Sequence, residues 1–222
     1  MRLFIHYLTL FCFLNLAACE KNSDDVSKNV TEPLKYFEGV YIDSRDGQVY
    51  KTSTIGTQTW FAQNLNFKTT NSSCYLKKRN FCDEYGRLYT WTSAIDSVCP
   101  DGWRLPSKND YETLFNAIDR FFNANKSPLE IHIGVGKILK AQTGWLDPSI
   151  KNSDNFSFAV LPAGDMHDNG HFMNRRERAN FWTSTEINEN DVYRVSFSYA
   201  NDEAKFAYGE KNYGYSIRCI KN

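Results

Sequence analysis

One acidic stretch of the chain has the composition of a cation site. The loop 186–191 contains Glu186, Asn188, Glu189 and Asp191, and all four side chains carry oxygen atoms. Calcium is a hard cation that takes about six to eight oxygen ligands, so this loop is a candidate Ca²⁺ site. The alternative interpretation is a solvated turn between two strands, because charged residues of this kind are most often in contact with water.

A second polar segment contains two histidines. His167 and His171 are four positions apart, and Asp165 precedes them. A loop that curled back on itself could present these imidazole and carboxylate groups to a transition metal. Asn169 and Gly170 lie between the histidines and instead favour a tight turn. The sequence leaves both interpretations open.

The folded part of the chain contains an even number of cysteines, which are Cys74, Cys82, Cys99 and Cys219. In an oxidising compartment, four cysteines predict two disulfide bonds, and three pairings are open at this point. A zinc site built from all four is the alternative interpretation. Their spacings lack the close Cys-x-x-Cys pair that is typical of such sites.

Aromatic residues are abundant and could provide stacking platforms for sugar rings. They make up 15% of the chain, which has five tryptophans and 13 tyrosines. We expect most of them in the core, because burial is the commonest use of large rings. Trp145 lies among polar residues and is the candidate for stacking on a ligand. No nucleophile elbow, phosphate-binding glycine loop or zinc-protease helix occurs in the sequence.

The N-terminus has the pattern of an exported lipoprotein. A basic residue precedes the mostly apolar stretch 3–14, and small residues lie directly before Cys19. This is the order of a secretory signal peptide, and the apolar stretch is shorter than the roughly 20 residues of a membrane-spanning helix. We predict a signal peptide over residues 1–18 and a lipid on Cys19. An ordinary signal peptide with a chance cysteine is the alternative.

The residues after Cys19 are polar and acidic, so we predict a flexible tether over 19–36 and one domain over 37–222. Acidic residues close behind a lipidated cysteine resemble a surface-export signal of some Gram-negative lineages, and a simple spacer is the alternative. We expect a lipid-anchored protein of the cell envelope, at the outer membrane and exposed on the surface. Basic and acidic residues balance at 26 each, so no overall field attracts nucleic acid.

Turn and periodicity signals define the elements that would position these groups. Two β-rich runs, 49–54 and 59–62, flank a turn at Gly56 and predict a hairpin. The stretch 71–83 is polar and has no sustained period. We expect a loop there, closed by a disulfide.

Two helices and several late strands follow. Apolar residues at helical spacing predict a short helix from Leu88 to Cys99. A second helix follows Ser107, whose side chain and that of Asp110 form a capping pattern, and its apolar face ends at Phe121. Alternation predicts strands at 156–160, 181–185, 193–199 and 215–219. An early hairpin, two helices and late strands are typical of an α+β domain.

Eight short motifs resemble a known family in their order along the chain. They are DGQVYKT (46–52), IGTQTW (55–60), QNLN (63–66), YGRLYTW (85–91), CPDGWRLPS (99–107), LPAG (161–164), FWTSTE (181–186) and SIRC (216–219). Together they are similar to the Fibrobacter succinogenes major paralogous domain, a family of secreted and lipid-anchored bacterial proteins. The resemblance covers nearly all of the predicted domain.

That family is similar in outline to the C-type lectin-like fold. The resemblance implies an α+β, C-type lectin-like domain with two short helices, an N-terminal β-hairpin and short antiparallel sheets. In that fold a cysteine at the end of the first helix pairs with one in the last strand. This implies a Cys99–Cys219 disulfide and leaves Cys74 to pair with Cys82. The Glu-Pro-Asn, Gln-Pro-Asp and Trp-Asn-Asp segments that bind calcium and sugar in such lectins do not occur here.

The resemblance implies little about activity, because the family has no generally established function. We expect a non-enzymatic binding or adhesion domain whose partner is a polysaccharide or an envelope protein, with no cofactor other than the candidate Ca²⁺. An exposed aromatic patch would then lie between residues 147 and 190. One alternative is an envelope enzyme similar to the sulfatase-modifying class, which would need a reactive cysteine pair near the C-terminus, where only Cys219 lies. The other alternative is a purely structural surface protein.

Overall fold

Short strands and helices alternate along the computed structural model, which describes residues 34–122, 125–127 and 130–222. The strands are β1 (Tyr36–Ile42), β2 (Val49–Ile55), β3 (Gln58–Phe61), β4 (Ser72–Ser73), β5 (Leu88–Tyr89), β6 (Trp103–Arg104), β7 (Asn125–Ser127), β8 (Ile131–Ile133), β9 (Asp165–Met166), β10 (Phe172–Met173), β11 (Arg178–Glu186), β12 (Asp191–Ser198), β13 (Glu203–Glu210) and β14 (Ile220–Lys221). The helices are α1 (Arg79–Tyr85), α2 (Trp91–Ile95), α3 (Lys108–Phe122) and α4 (Val135–Leu139). The predicted signal peptide, Cys19 and most of the predicted tether lie outside the described residues.

The first sheet contains the predicted hairpin and the last strand of the chain. Its order is β1-β2-β3-β14-β6, and every pair in it is antiparallel. Ile55 pairs with Gln58 across a tight turn, in which Gly56 has a positive φ of 62° that suits glycine. The hairpin is therefore confirmed, and β1 is an additional strand on its outer side.

The second sheet has the order β11-β12-β13-β8-β7. Strands β11 and β12 confirm the predictions at 181–185 and 193–199, and β13 is a strand that the sequence did not reveal. Two predicted strands are wrong in detail. The stretch 156–160 is irregular apart from a single bridge at Val160, and 215–219 forms isolated bridges before β14.

The long helix α3 forms as predicted, because its first turn is capped as the sequence indicates. The Asp110 carboxylate accepts hydrogen bonds from the backbone N–H and the hydroxyl of Ser107, both at 2.7 Å, and Arg104 pairs with the same carboxylate. The predicted helix from Leu88 to Cys99 is shorter than expected. Only α2 is helical, since Leu88 already belongs to β5.

The stretch 71–83 is not the loop that was predicted. It contains β4, a 3₁₀ turn at Tyr75–Lys77 and most of α1, which buries Cys82 and Tyr85. Together with α4, this raises the helices of the described residues to four, where the sequence predicted two. A helix of seven residues with two buried positions is too short to produce a detectable apolar period.

Two disulfides brace the fold. Cys74 bonds to Cys82 within the stretch that contains α1, and Cys99 bonds to Cys219 just before the last strand. These are the pairs that the family resemblance implies. The prediction of a disulfide-braced domain that combines helices with antiparallel sheets is therefore confirmed.

A fully buried arginine explains why the stretch 156–160 is irregular. Arg218 donates to the backbone carbonyls of Phe158 and Ala159, so these carbonyls are satisfied without a partner strand. Its Nε–H also donates to Oδ1 of Asn64 at 2.8 Å, and burial lowers the pKa of Arg218 to about 10. Arg218 thus joins the last segment of the chain to the first sheet and to this irregular stretch.

No helix among the described residues is both long enough and apolar enough to cross a membrane.

Candidate ligand-binding cleft

An open cleft of about 630 Å³ lies where the turn between β11 and β12 meets the residues that follow β13. Seven residues line it, which are Glu189, Asn190, Asp191, Tyr208, Glu210, Lys211 and Asn212. Binding sites for small ligands typically enclose about 300 to 1,000 Å³, so the cleft is large enough for one or two sugar rings.

Tyr208 is the exposed aromatic residue of the cleft. Along β13 the side chains of Ala204 and Phe206 face the core, and Tyr208 is the next residue on the same face. On this face the burial of β13 ends at Phe206, so 69% of the tyrosine surface is exposed, while Gly209 on the opposite face is still buried. Its strand partner is the half-buried Tyr193. An aromatic ring with a free face and a hydroxyl is suited to stacking on a sugar.

Two of the four predicted calcium ligands, Glu189 and Asp191, line this cleft, and the four do not point to a common centre. Oδ1 of Asn188 accepts the backbone N–H groups of Asn190 and Asp191, and its side-chain amide donates to the Asp191 carboxylate at 3.0 Å. Glu186 instead pairs with Lys211 at 2.5 Å. Nowhere in the described ranges do three His, Cys, Asp or Glu side chains converge to hold a metal ion. The geometry is that of a solvated turn closed by Asn188.

The charge of the cleft is unbalanced. Glu189, Asp191 and Glu210 contribute three carboxylates, and the ammonium group of Lys211 is already paired with Glu186, outside the cleft lining. An acidic cleft repels an acidic ligand and favours one that is neutral or carries amino groups.

The walls of the cleft are held by backbone and side-chain contacts. The Lys211 N–H donates to the Asn190 carbonyl at 3.1 Å, which joins the two segments that form the walls. The Lys211 ammonium also lies 4.7 Å from the ring centre of the buried Trp91, and a cation over an aromatic face is an attractive contact. The two segments that form the walls are therefore joined by contacts within the domain.

Trp145 does not form the stacking platform that was considered for it. The side chain is buried, at 5% exposure, and belongs to the main core, with the ammonium group of Lys140 lying 5.0 Å from its ring centre. Burial lowers the pKa of Lys140 to about 8. The polar neighbours of Trp145 in the sequence indicate an exposed side chain, and the structure shows a buried one. The exposed aromatic residue of the cleft, Tyr208, lies outside the predicted region 147–190.

The two histidines lie on a small hairpin formed by β9 and β10. The His167 N–H donates to the His171 carbonyl at 2.8 Å, and Gly170 in the turn has a positive φ of 78°. Nε2 of His167 lies 3.5 Å from the Asp165 carboxylate, whereas His171 is exposed at the turn. The segment between the two histidines is therefore a tight turn, as Asn169 and Gly170 indicate in the sequence.

Asp165 is a buried carboxylate with a structural environment. It accepts hydrogen bonds from the side-chain amides of Asn174 at 3.0 Å and Asn180 at 3.1 Å. Burial raises the pKa of the Asp165 carboxyl. Because Asn180 belongs to β11, these bonds join the β9–β10 hairpin to the second sheet.

A second cavity lies between the turn that precedes β2 and helix α1. It has a volume of about 270 Å³, and its lining includes Gln48, Asn66, Asp83 and Arg87. Charges of both signs and amide groups line this groove. It lacks an exposed aromatic ring among the lining residues, so it is the weaker candidate for a sugar site.

The cysteines do not form a reactive site in this structure. Cys219 is bonded to Cys99 and is fully buried, so it has no thiolate to act as a nucleophile. Cys74 and Cys82 are likewise bonded to each other. Cys19, the predicted lipidation site, lies outside the described residues.

The fold and the cleft together define a disulfide-braced domain of mixed helices and antiparallel sheets with an open polar cleft. Residues 54–221 match the family model of the Fibrobacter succinogenes major domain, and the chain belongs to that family. No curated protein and no solved structure matches the chain.

Sequence reasoning identified one side of the cleft and missed the other. The oxygen-rich side chains of the acidic turn mark it in the sequence as a candidate cation site. Tyr208, Glu210, Lys211 and Asn212 were missed because β13 was not predicted. The alternation of Ala204, Phe206 and Tyr208 could have indicated the strand, but it does not reveal that burial on this face ends at Phe206.

Proposed function

We propose that this chain is a lipid-anchored protein of the cell envelope whose domain binds polysaccharide without chemical conversion. The observation that supports this most is Tyr208, which is 69% exposed beside the amides and carboxylates of an open cleft. A ring face that stacks, next to planar polar groups that bind hydroxyls, is the chemistry that a saccharide requires.

The polar residues of the cleft suit the hydroxyl pairs of a sugar. The side-chain amides of Asn190 and Asn212 can both donate and accept hydrogen bonds, and the carboxylates of Asp191 and Glu210 accept them. Because carboxylates predominate, we propose a saccharide that is neutral or carries amino groups. Calcium is not required in this proposal.

We also propose that the domain has the C-type lectin-like outline. Three features support it. The N-terminal hairpin and the last strand lie in one sheet, the Cys99–Cys219 disulfide ties the segment after α2 to the chain end, and the second sheet has loop-rich connections. The cleft lies at one end of that second sheet.

The binding prediction is tested on an array of envelope and plant polysaccharides with the Cys19→Ser chain, which is free of lipid. We expect binding to neutral or amino-sugar glycans, little binding to polyuronic acids, and no effect of a calcium chelator. Replacing Tyr208 by Ala removes the platform and should weaken binding about tenfold or more, as loss of a binding hot spot does.

Phe37→Ala is the matched control for Tyr208→Ala, because Phe37 is similarly exposed, at 64%, and lies on the first sheet. It should bind like the unsubstituted chain. An array without any signal, or equal losses in the two variants, would exclude the cleft as a polysaccharide site.

The proposed anchor predicts that Cys19 carries a lipid at the outer membrane, on the cell surface. Cells fed an alkyne-tagged fatty acid should label the unsubstituted protein, whereas Cys19→Ser should remain unlabelled and leave the membrane fraction. Cys12→Ser is the matched control, since Cys12 lies within the predicted signal peptide 1–18, and it should be labelled normally. Labelling that persists in Cys19→Ser would refute the anchor.

A further inference from the structure

Three exposed aliphatic side chains lie together on one face of strands β1 and β2. Ile42 is paired with Val49, and Val40 is two residues before Ile42 on the same side of the strand. Their exposed fractions are 72% for Val40, 63% for Ile42 and 57% for Val49. These three residues form the β1–β2 apolar face.

The opposite face of the same strand pair, by contrast, packs against the core. On that side Tyr41 and Tyr50 are paired, and both rings pack against Phe61 in the core. Two of the three residues of the β1–β2 apolar face lie on β1, the outer strand of its sheet. Clustered apolar side chains on such an edge usually mark a surface that something else covers.

Two charged side chains of opposite sign, Lys51 and Glu38, lie beside the β1–β2 apolar face. Lys51 is paired with Val40, so its ammonium group lies at the margin of the face. Glu38, the charged residue on the same side of β1, is exposed and accepts hydrogen bonds from the hydroxyls of Ser157, at 2.6 Å, and of Tyr36, and its ionised carboxylate attracts Lys51. Apolar side chains with a long cationic side chain at their margin are typical of surfaces at lipid headgroups, where lysine can reach a phosphate.

The position of the predicted lipid brings this face within reach of a bilayer. Strand β1 begins at Tyr36, and Cys19 lies 17 positions earlier in the chain. The tether that the sequence predicts over residues 19–36 would have an end-to-end distance of roughly 20 to 25 Å. A lipid on Cys19 would therefore keep β1 at a high local concentration near the membrane surface.

We propose that the β1–β2 apolar face docks on the bilayer in which the Cys19 lipid is inserted. This inference rests on the proposed lipid anchor and adds an orientation to it. The first sheet then lies against the membrane, and the cleft on the second sheet is formed by residues outside the docked face.

The test uses the acylated protein with Val40→Trp in vesicles of phosphatidylethanolamine and phosphatidylglycerol whose acyl chains are brominated. Bromine quenches only indole groups that lie within the bilayer. All five native tryptophans are at most 9% exposed and provide a constant background. We expect the fluorescence of the added tryptophan to fall by about half relative to vesicles without bromine, since interfacial side chains reach the acyl boundary.

Tyr208→Trp is the matched control, because position 208 is equally exposed but lies in the cleft on the second sheet. Its fluorescence should not change with bromine. Equal quenching of the two variants, or no quenching of Val40→Trp, would overturn the docking proposal.

Two further outcomes distinguish membrane docking from a lipid anchor without docking and from contact with a second copy of the chain. Mass spectrometry of the same sample shows whether Cys19 is acylated, so a protein with lipid but without quenching refutes docking and leaves the anchor intact. A blue shift of Val40→Trp that depends on protein concentration in the absence of vesicles would show that a second copy covers the face. That result would also overturn the proposal.

Discussion

Removing the Cys99–Cys219 disulfide is expected to lower the free energy of unfolding by about 4 to 5 kcal/mol. The bond closes a loop of 120 residues, and cross-linking so long a loop removes much of the entropy of the unfolded chain. Urea unfolding of the double variant Cys99→Ser/Cys219→Ser measures the loss. A loss of this size is a large share of the stability of a typical domain.

The second disulfide provides an internal control. Cys74 and Cys82 are eight positions apart, so the variant Cys74→Ser/Cys82→Ser should lose only about 2 to 3 kcal/mol. The longer loop should therefore have the larger effect. Equal losses in the two double variants would contradict the chain-entropy explanation.

Replacing Arg218 by Met is expected to lower the free energy of unfolding by about 3 to 5 kcal/mol. The guanidinium group is fully buried and binds the Asn64 side chain and the carbonyls of Phe61, Phe158 and Ala159. A methionine of similar volume leaves these acceptors buried without donors. Urea unfolding at neutral pH measures the change.

Two variants serve as controls for Arg218→Met. Arg218→Lys keeps a positive charge but fewer donors, so its loss should be smaller. Arg79→Met changes a side chain that is 91% exposed, and its effect should stay within about 0.5 kcal/mol. An Arg218→Met variant as stable as the unsubstituted chain would contradict this prediction. It would show that the desolvation cost of the buried cation equals the free energy that its hydrogen bonds contribute.

The elements that the sequence predicts well carry their own local signals. The β2–β3 hairpin has a glycine turn between β-rich runs, and α3 has both a capping pattern and four buried apolar positions at helical spacing. In each case the signal and the structure lie within the same few residues, so no distant contact is needed to detect it.

The elements that the sequence misses depend on distant partners. The alternation of Phe156, Phe158 and Val160 looks like a strand, but Arg218 binds the carbonyls there from some 60 positions away. Trp145 was judged by its polar neighbours in sequence, whereas its burial comes from core residues remote along the chain. Local patterns cannot report such contacts.

The cleft likewise has one side that a local sequence signal indicates and one side that depends on distant contacts. Its acidic side was visible as a run of oxygen-bearing side chains. Its aromatic side depends on where the buried face of β13 ends and on the register that pairs Tyr208 with Tyr193 and Glu210 with Asp191. The sequence alone therefore offers a calcium loop and a solvated turn as interpretations, and the structure shows the turn beside an exposed ring.

The proposed polysaccharide site is tested most directly by an NMR titration of the isotope-labelled Cys19→Ser chain with the oligosaccharide that the array selects. Saturable shifts of the Asn190 and Asn212 side-chain amides, with those of Gln48 and Asn66 unchanged, are the result that the cleft predicts. Shifts confined to Gln48 and Asn66 would contradict it and place the ligand in the groove beside α1.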